Sequence, residues 1–250
     1  MRRIGLLGGM SWESTAVYYR LINEAVRDRL GGLASADIVM RSLDFQAVVD
    51  LQKAGRWDAA ADMLGQAACD LQHAGADCLL ICTNTMHLVA PQVAAACETP
   101  LIHIIDETSQ VLSGAGCRRP LLLATRYTME HGFYAERMAR HGLDVVVPDA
   151  HDRALCHSII FDELCQGIVT PGGRQALYDM ALRGRAAGAD SVILGCTELD
   201  LSIAPGDLPL PGFDSTHIHA RAAVDFAFRG VAPAERTTER TADLMTGAYI

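Results

Sequence analysis

The chain has 250 residues, half of them hydrophobic, with a formal net charge of -9 and only 6% aromatic residues. That length can bury a large core, in one big α/β domain or two smaller ones. An acidic chain with no basic stripe and few aromatic platforms argues against nucleic acid or an anionic membrane as a partner.

From the N-terminus, Met1-Arg2-Arg3 leads into a short apolar run that breaks at Gly8-Gly9 and reaches Trp12-Glu13, too soon for a secretory signal core. No stretch approaches the ~18 apolar residues of a membrane span, so the chain reads as soluble and cytoplasmic. Apolar runs and helical spacing then alternate. Strands are expected at residues 4–7, 37–43, 78–81 and 101–105, with helices over 14–30, over 57–73 and from the third strand to residue 96. The pattern restarts with strands at 121–123, 145–147 and 191–194 and helices over 129–141, 151–167, 173–187 and 217–228. Short apolar strands separated by helices indicate parallel sheets covered on both faces.

The sequence also repeats itself. Ala74-Gly75-Ala76-Asp77 leads through an apolar strand to Cys82-Thr83, and Ala187-Gly188-Ala189-Asp190 leads through another to Cys196-Thr197. The second copy has one extra residue, Gly195. An Ala-Gly-Ala-Asp turn before a buried strand is a common loop, but a Cys-Thr after both strands is not explained by turn chemistry. Two similar halves of ordinary domain size follow: residues 1–105 with 208–230, and residues 106–207. The final helix is expected to return to the first half, with 231–250 as a C-terminal extension.

In open parallel sheets, ligands bind beyond the carboxyl ends of the strands, where backbone N–H groups and the next helix dipole favour anions. A thiol there can exchange protons at cellular pH. Two thiols in symmetry-related positions, Cys82 and Cys196, fit inversion of a carbon centre, with one face deprotonated and the other protonated. Stabilising the developing enolate would fall to hydroxyl and N–H donors of the Cys-Thr segments and of the Gly8-Gly9-Met10-Ser11 turn. The remaining thiols (Cys69, Cys78, Cys97, Cys117, Cys156 and Cys165) read as core packing. No CxxC spacing or metal-ligand spacing is seen. Glu198 is a candidate to orient a substrate ammonium group, and His103 reads as a packed strand or rim histidine.

The segments IGLLGGMSWEST (residues 4–15), CTNTMH (82–87), TRYTME (125–130), IIFDEL (159–164) and GCTEL (195–199) resemble the aspartate/glutamate racemase family, within the wider aspartate/glutamate/hydantoin racemases. The likeness runs from residue 4 to about 230. It implies two flavodoxin-like α/β/α domains related by a pseudo-twofold axis, with the active site in the cleft between them. It implies pyridoxal-phosphate-independent, cofactor-free two-base racemisation of an amino acid by Cys82 and Cys196, with Cys82 serving the D- and Cys196 the L-enantiomer. It implies substrate contacts from Met10, Gln52, Thr83, Asn84, Thr85, Thr197 and Glu198, no metal, and a homodimer. Aspartate-specific members carry basic residues in the segments matching 44–52 and 157–165. Here these are DFQAVVDLQ and HSIIFDELC, in which His157 is the one candidate cation. A side-chain carboxylate would lack a permanent counter-charge, so broad specificity for neutral or polar side chains is expected over strict aspartate or glutamate specificity. Maleate-type isomerisation, arylmalonate-type decarboxylation, hydantoin racemisation and a non-catalytic metabolite-binding role are the alternatives.

Overall fold

The computed structural model describes residues 1–230; the extension expected at 231–250 lies outside the described residues. The elements run β1 (Ile4–Gly8), α1 (Trp12–Leu30), β2 (Ile38–Ser42), α2 (Phe45–Lys53), α3 (Trp57–His73), β3 (Cys78–Ile81), α4 (Ala90–Ala96) and α5 (Ile104–Gly114). They continue with β4 (Pro120–Leu123), α6 (Arg126–Glu130), α7 (Phe133–Ala139), α8 (Ala150–Ser158), α9 (Pro171–Ala186), β5 (Ser191–Leu194), α10 (Leu199–Ser202), β6 (Gly212–Asp214) and α11 (Ser215–Ala227). Two three-stranded parallel sheets result, ordered β2-β1-β3 and β4-β5-β6. The expected two-part α/β architecture is therefore present.

The repeated Ala-Gly-Ala-Asp turn locks both sheets in the same way. Asp77 accepts a hydrogen bond from the Arg3 backbone N–H at 2.6 Å, and Asp190 accepts from Arg118 and Arg119 N–H at 2.6 and 2.8 Å. The Arg3 and Arg119 guanidinium groups donate to the Ala74 and Ala187 carbonyls at 3.0 and 3.2 Å. Each aspartate thus ties the entry to one strand (β3 or β5) to the start of its neighbour (β1 or β4). The register is fixed accordingly, with Ile4 opposite Cys78 and Pro120 opposite Ser191.

Several boundaries differ from the sequence reading. Residues 101–105 do not form a strand: only Leu101 bridges to Leu79, and α5 starts at Ile104 with the His103 ring accepting the Ile105 N–H. Residues 145–147 reduce to a single bridge from Val146 to Leu121. The helix expected over 129–141 is split by Gly132, whose φ of +77° interrupts the helical path. The segment after α8 widens into a turn at Ile159–Glu163, tightens at Leu164–Gln166 and stops at Gly167. Helices α2 and α5 and strand β6 were not expected. β6 pairs with β5 and so belongs to the second sheet, which removes 212–214 from the first half. Helix α11 does return to the first half: Ala220, Ala223 and Val224 pack with Ile4, Tyr18 and Leu80.

The site therefore sits where the carboxyl ends of β1 and β3 meet those of β4 and β5. Among the described residues, no helix is long and apolar enough to cross a membrane.

Candidate active site

The turns after β1, β3, β4 and β5 converge on a cleft lined by Met10, Ser11 and Ser14, by Thr83, Asn84 and Thr85, by Thr125, and by Gly195, Cys196, Thr197 and Glu198. Phe45, Gln52, Ile160, Phe161 and Cys165 complete its walls. All seven expected substrate contacts and Cys196 are thus brought together.

Cys82 is not among them. It is fully buried, packed with Ile4, Leu6 and Tyr18 in the core of the first half, and its thiol reaches only the Leu80 carbonyl at 3.9 Å. The physical reason is register. With Ile4–Cys78 matching Pro120–Ser191, the residue after β3 is Cys82 and the residue after β5 is Gly195. Both make the same ladder hydrogen bond, Cys82 N–H to Leu7 at 2.9 Å and Gly195 N–H to Leu123 at 2.7 Å. A Cβ on Gly195 would meet Leu122 at 2.8 Å and Ala124 at 3.1 Å, so that position faces the core too. Along extended chain, successive side chains face opposite ways. Thr83, one residue further on, is therefore the counterpart of Cys196, and both are half-buried on the cleft wall. The expected pair of thiols becomes a hydroxyl, Thr83, facing a thiol, Cys196.

The equivalence continues as Asn84 with Thr197 and Thr85 with Glu198, and two hydrogen-bonded clusters cross the cleft. In one, the hydroxyls of Thr85, Thr125 and Thr128 lie 3.0–3.1 Å apart. In the other, Glu198 Oε1 accepts from Ser11 at 2.9 Å and Ser14 at 2.8 Å, while Oε2 accepts from Thr197 at 2.6 Å and from the Cys196 thiol at 3.0 Å. Ser14 also contacts the Thr197 hydroxyl. Ser11 and Thr125 double as caps, accepting the N–H three residues on at the start of α1 and α6. The Ser-x-x-Ser and Thr-x-x-Thr spacing after each first strand is the signal by which Ser14, Thr125 and Thr128 were recognisable; the sequence reading missed them.

Burial pushes the Cys196 thiol well above its ordinary range, and the Glu198 charge adds to this. Cys165, expected in the core, instead lines the cleft beside Glu198. Burial and the charges of Glu198 and Glu13 push its thiol up to about 12. Gln52 is buried and donates to the Met86 sulfur at 3.1 Å. Among the described residues, no arginine or lysine lines the cleft.

Two halves with facing parallel strand ends, and a thiol-bearing cleft between them, define the class. Residues 7–223 match the Asp/Glu/Hydantoin racemase family, and the chain belongs to it. Over 227 residues, 88% of this chain and 96% of the relative, it is 23% identical to the broad specificity amino-acid racemase RacX of Bacillus subtilis (strain 168). A crystal structure of a candidate Asp/Glu racemase from Yersinia pestis superposes with a TM-score of 0.86 at 47% identity, covering 91% of this chain and all (100%) of that one. An aspartate racemase homologue from Pyrococcus horikoshii OT3 does so at 0.81 and 33% identity, over 91% and 99%.

Proposed function

We propose that this protein is a cofactor-independent amino-acid racemase of broad specificity, in which Cys196 is the principal acid/base and Thr83 faces it across the substrate. The observation that carries this reading is the equivalence of Thr83 and Cys196 on opposing walls of one cleft, with only Cys196 joined to a carboxylate. In the resting site Cys196 holds its proton and donates it to Glu198. For catalysis that proton passes to Glu198 Oε2, and the resulting thiolate takes the α-proton of the amino acid facing it. Charge developing on the substrate carboxylate is met by hydroxyl donors such as Thr85 and Thr125. Reprotonation on the opposite face inverts the centre, and reprotonation from Cys196 returns the starting enantiomer with an exchanged hydrogen.

A threonine hydroxyl is a far weaker acid than a thiol, so the two faces are unequal. The enantiomer whose α-hydrogen faces Cys196 then exchanges with solvent faster than it inverts. A cleft with one buried acid and, among the described residues, no cation favours neutral over acidic side chains.

The test is incubation of single L- and D-amino acids with purified protein in D2O without pyridoxal phosphate. Optical rotation and α-deuterium are followed together. Exchange and inversion that vanish in Cys196→Ser are the expected outcome. No α-exchange with any amino acid would overturn the proposal.

A further inference from the structure

The two walls of the cleft match in register but are held by different bonds. Behind Cys196, the backbone carbonyl accepts the Leu199 N–H at 3.2 Å. Behind Thr83, no backbone N–H among the described residues reaches the carbonyl. It accepts instead from the His87 ring, with Nδ1 2.8 Å from the oxygen. At the register that pairs Thr83 with Cys196, the counterpart of His87 is Asp200. That residue is exposed, and a carboxylate there has no proton to donate.

His87 is a tie with two ends. A carbonyl only accepts, so Nδ1 carries the ring proton. Nε2 is then an acceptor, and the Ile104 N–H at the start of α5 lies 3.3 Å from it. Burial pushes the imidazole well below its ordinary range, aided by the neighbouring His103, so the ring stays neutral and keeps this one tautomer. Ile104 and Ile105 pack with Leu121 and Met138 in the core around β4 and β5, whereas Thr83 follows β3. The imidazole, 2% exposed, thus joins the turn bearing Thr83 to the core of the half that bears Cys196.

We infer that His87 is a positioning residue, whose bond to the Thr83 carbonyl holds the Thr83 hydroxyl on its wall at the spacing from Cys196 that inversion requires. This rests on the racemase reading above. Exchange of the α-hydrogen needs the Cys196 wall alone, while inversion also needs a proton delivered from the opposite wall. Loss of the tie acts on one of two rates measured on the same substrate. Loss of folding acts on both.

The experiment compares wild type, His87→Leu and His87→Asn in D2O, with the enantiomer that wild type exchanges fastest. Incorporation of α-deuterium and loss of optical rotation are followed together. His87→Leu removes the donor and is expected to slow inversion about 10- to 100-fold, the scale for a misplaced reacting group, while exchange stays near the wild-type rate. His87→Asn puts an amide N–H where Nδ1–H stood and is expected to restore inversion. In wild type, the 15N imidazole spectrum is expected to show His87 protonated at Nδ1 and bare at Nε2, its resonances identified by their absence in His87→Asn. If exchange and inversion fall together in folded His87→Leu, or His87→Asn inverts no faster than His87→Leu, the inference is overturned. A His87 protonated at Nε2 overturns it even where His87→Leu does not fold. Wild type that exchanges no amino acid overturns the racemase reading and this inference with it, whereas the other failures leave that reading standing.

Discussion

Thr83 and Cys196 stand two residues beyond the ends of β3 and β5, at matching registers, on opposite walls of one cleft. The halves of the molecule are thus alike in backbone and unlike in chemistry.

That difference separates the two cysteines after the strands. Cys196→Ser is expected to abolish α-deuterium incorporation. Cys82→Ala is expected to keep it while lowering stability by roughly 1–2 kcal/mol, the scale for trimming a small buried side chain. Parallel exchange assays and denaturant melts check both, and loss of exchange in a folded Cys82→Ala would contradict the register argument.

Thr83→Cys supplies the thiol the first half lacks. Inversion is expected to accelerate by about 10-fold or more, on the scale of general acid–base catalysis. It should do so equally from either enantiomer, because the equilibrium constant between them is one. Polarimetry from pure L- and pure D-substrate measures this. A variant that folds but inverts no faster would show that Thr83 does not lie on the reaction path.

Burial and the Glu198 charge hold the Cys196 proton tightly. Activity limited by the thiolate should therefore rise into alkaline pH. In Glu198→Gln both the negative charge and the proton acceptor are gone, so the rate near neutral pH should fall while the thiolate-limited limb of the pH–rate profile moves to lower pH. A profile that does not shift would remove Glu198 from control of the thiol.

A buried imidazole cluster sets acid stability. The His87 ring meets the rings of His103 and His219 edge-on, with centroids 4.7 and 5.7 Å away. Burial pushes His87 well below its ordinary range, aided by His103. Burial likewise lowers His103 to about 3, aided by Arg137, and His219 to about 4. All three are neutral in the folded state, with His87 directed at the Thr83 carbonyl and His219 at Tyr18 and Ile102. The unfolded chain binds protons below about pH 6.5 and the folded chain does not. Stability should thus be full above that pH and fall between about 6.5 and 4, by up to about 1.4 kcal/mol per pH unit for each histidine. Guanidinium melts at pH 7 and pH 5 test this, with a shallower slope expected for His219→Gln.

Gln52 lies buried at the cleft, which no arginine or lysine among the described residues lines. Gln52→Arg is expected to raise kcat/KM for aspartate relative to alanine, because a side-chain carboxylate then gains a counter-charge. An unchanged ratio would place the side-chain end of the substrate elsewhere.

Much of this was legible in the amino-acid order. Apolar runs of four or five residues marked β1, β3 and β5, and the twice-used Ala-Gly-Ala-Asp marked the two halves, because an aspartate at that turn can tie two strand ends together. Cys196 and the cation-poor cleft were legible for the same kind of local reason. What sequence could not decide was which of Cys82 and Thr83 faces the cleft. Successive side chains in extended chain face opposite sides, so a one-residue offset at Gly195 exchanges core for cleft, and only pairing with β1 and β4 sets that offset. The tertiary structure also decided that Leu101–Ile102 stops pairing as α5 begins, that β6 joins the second sheet, and that Ser215, distant in sequence, accepts a hydrogen bond from Asn84. Each depends on a partner brought close by folding, which no local pattern encodes.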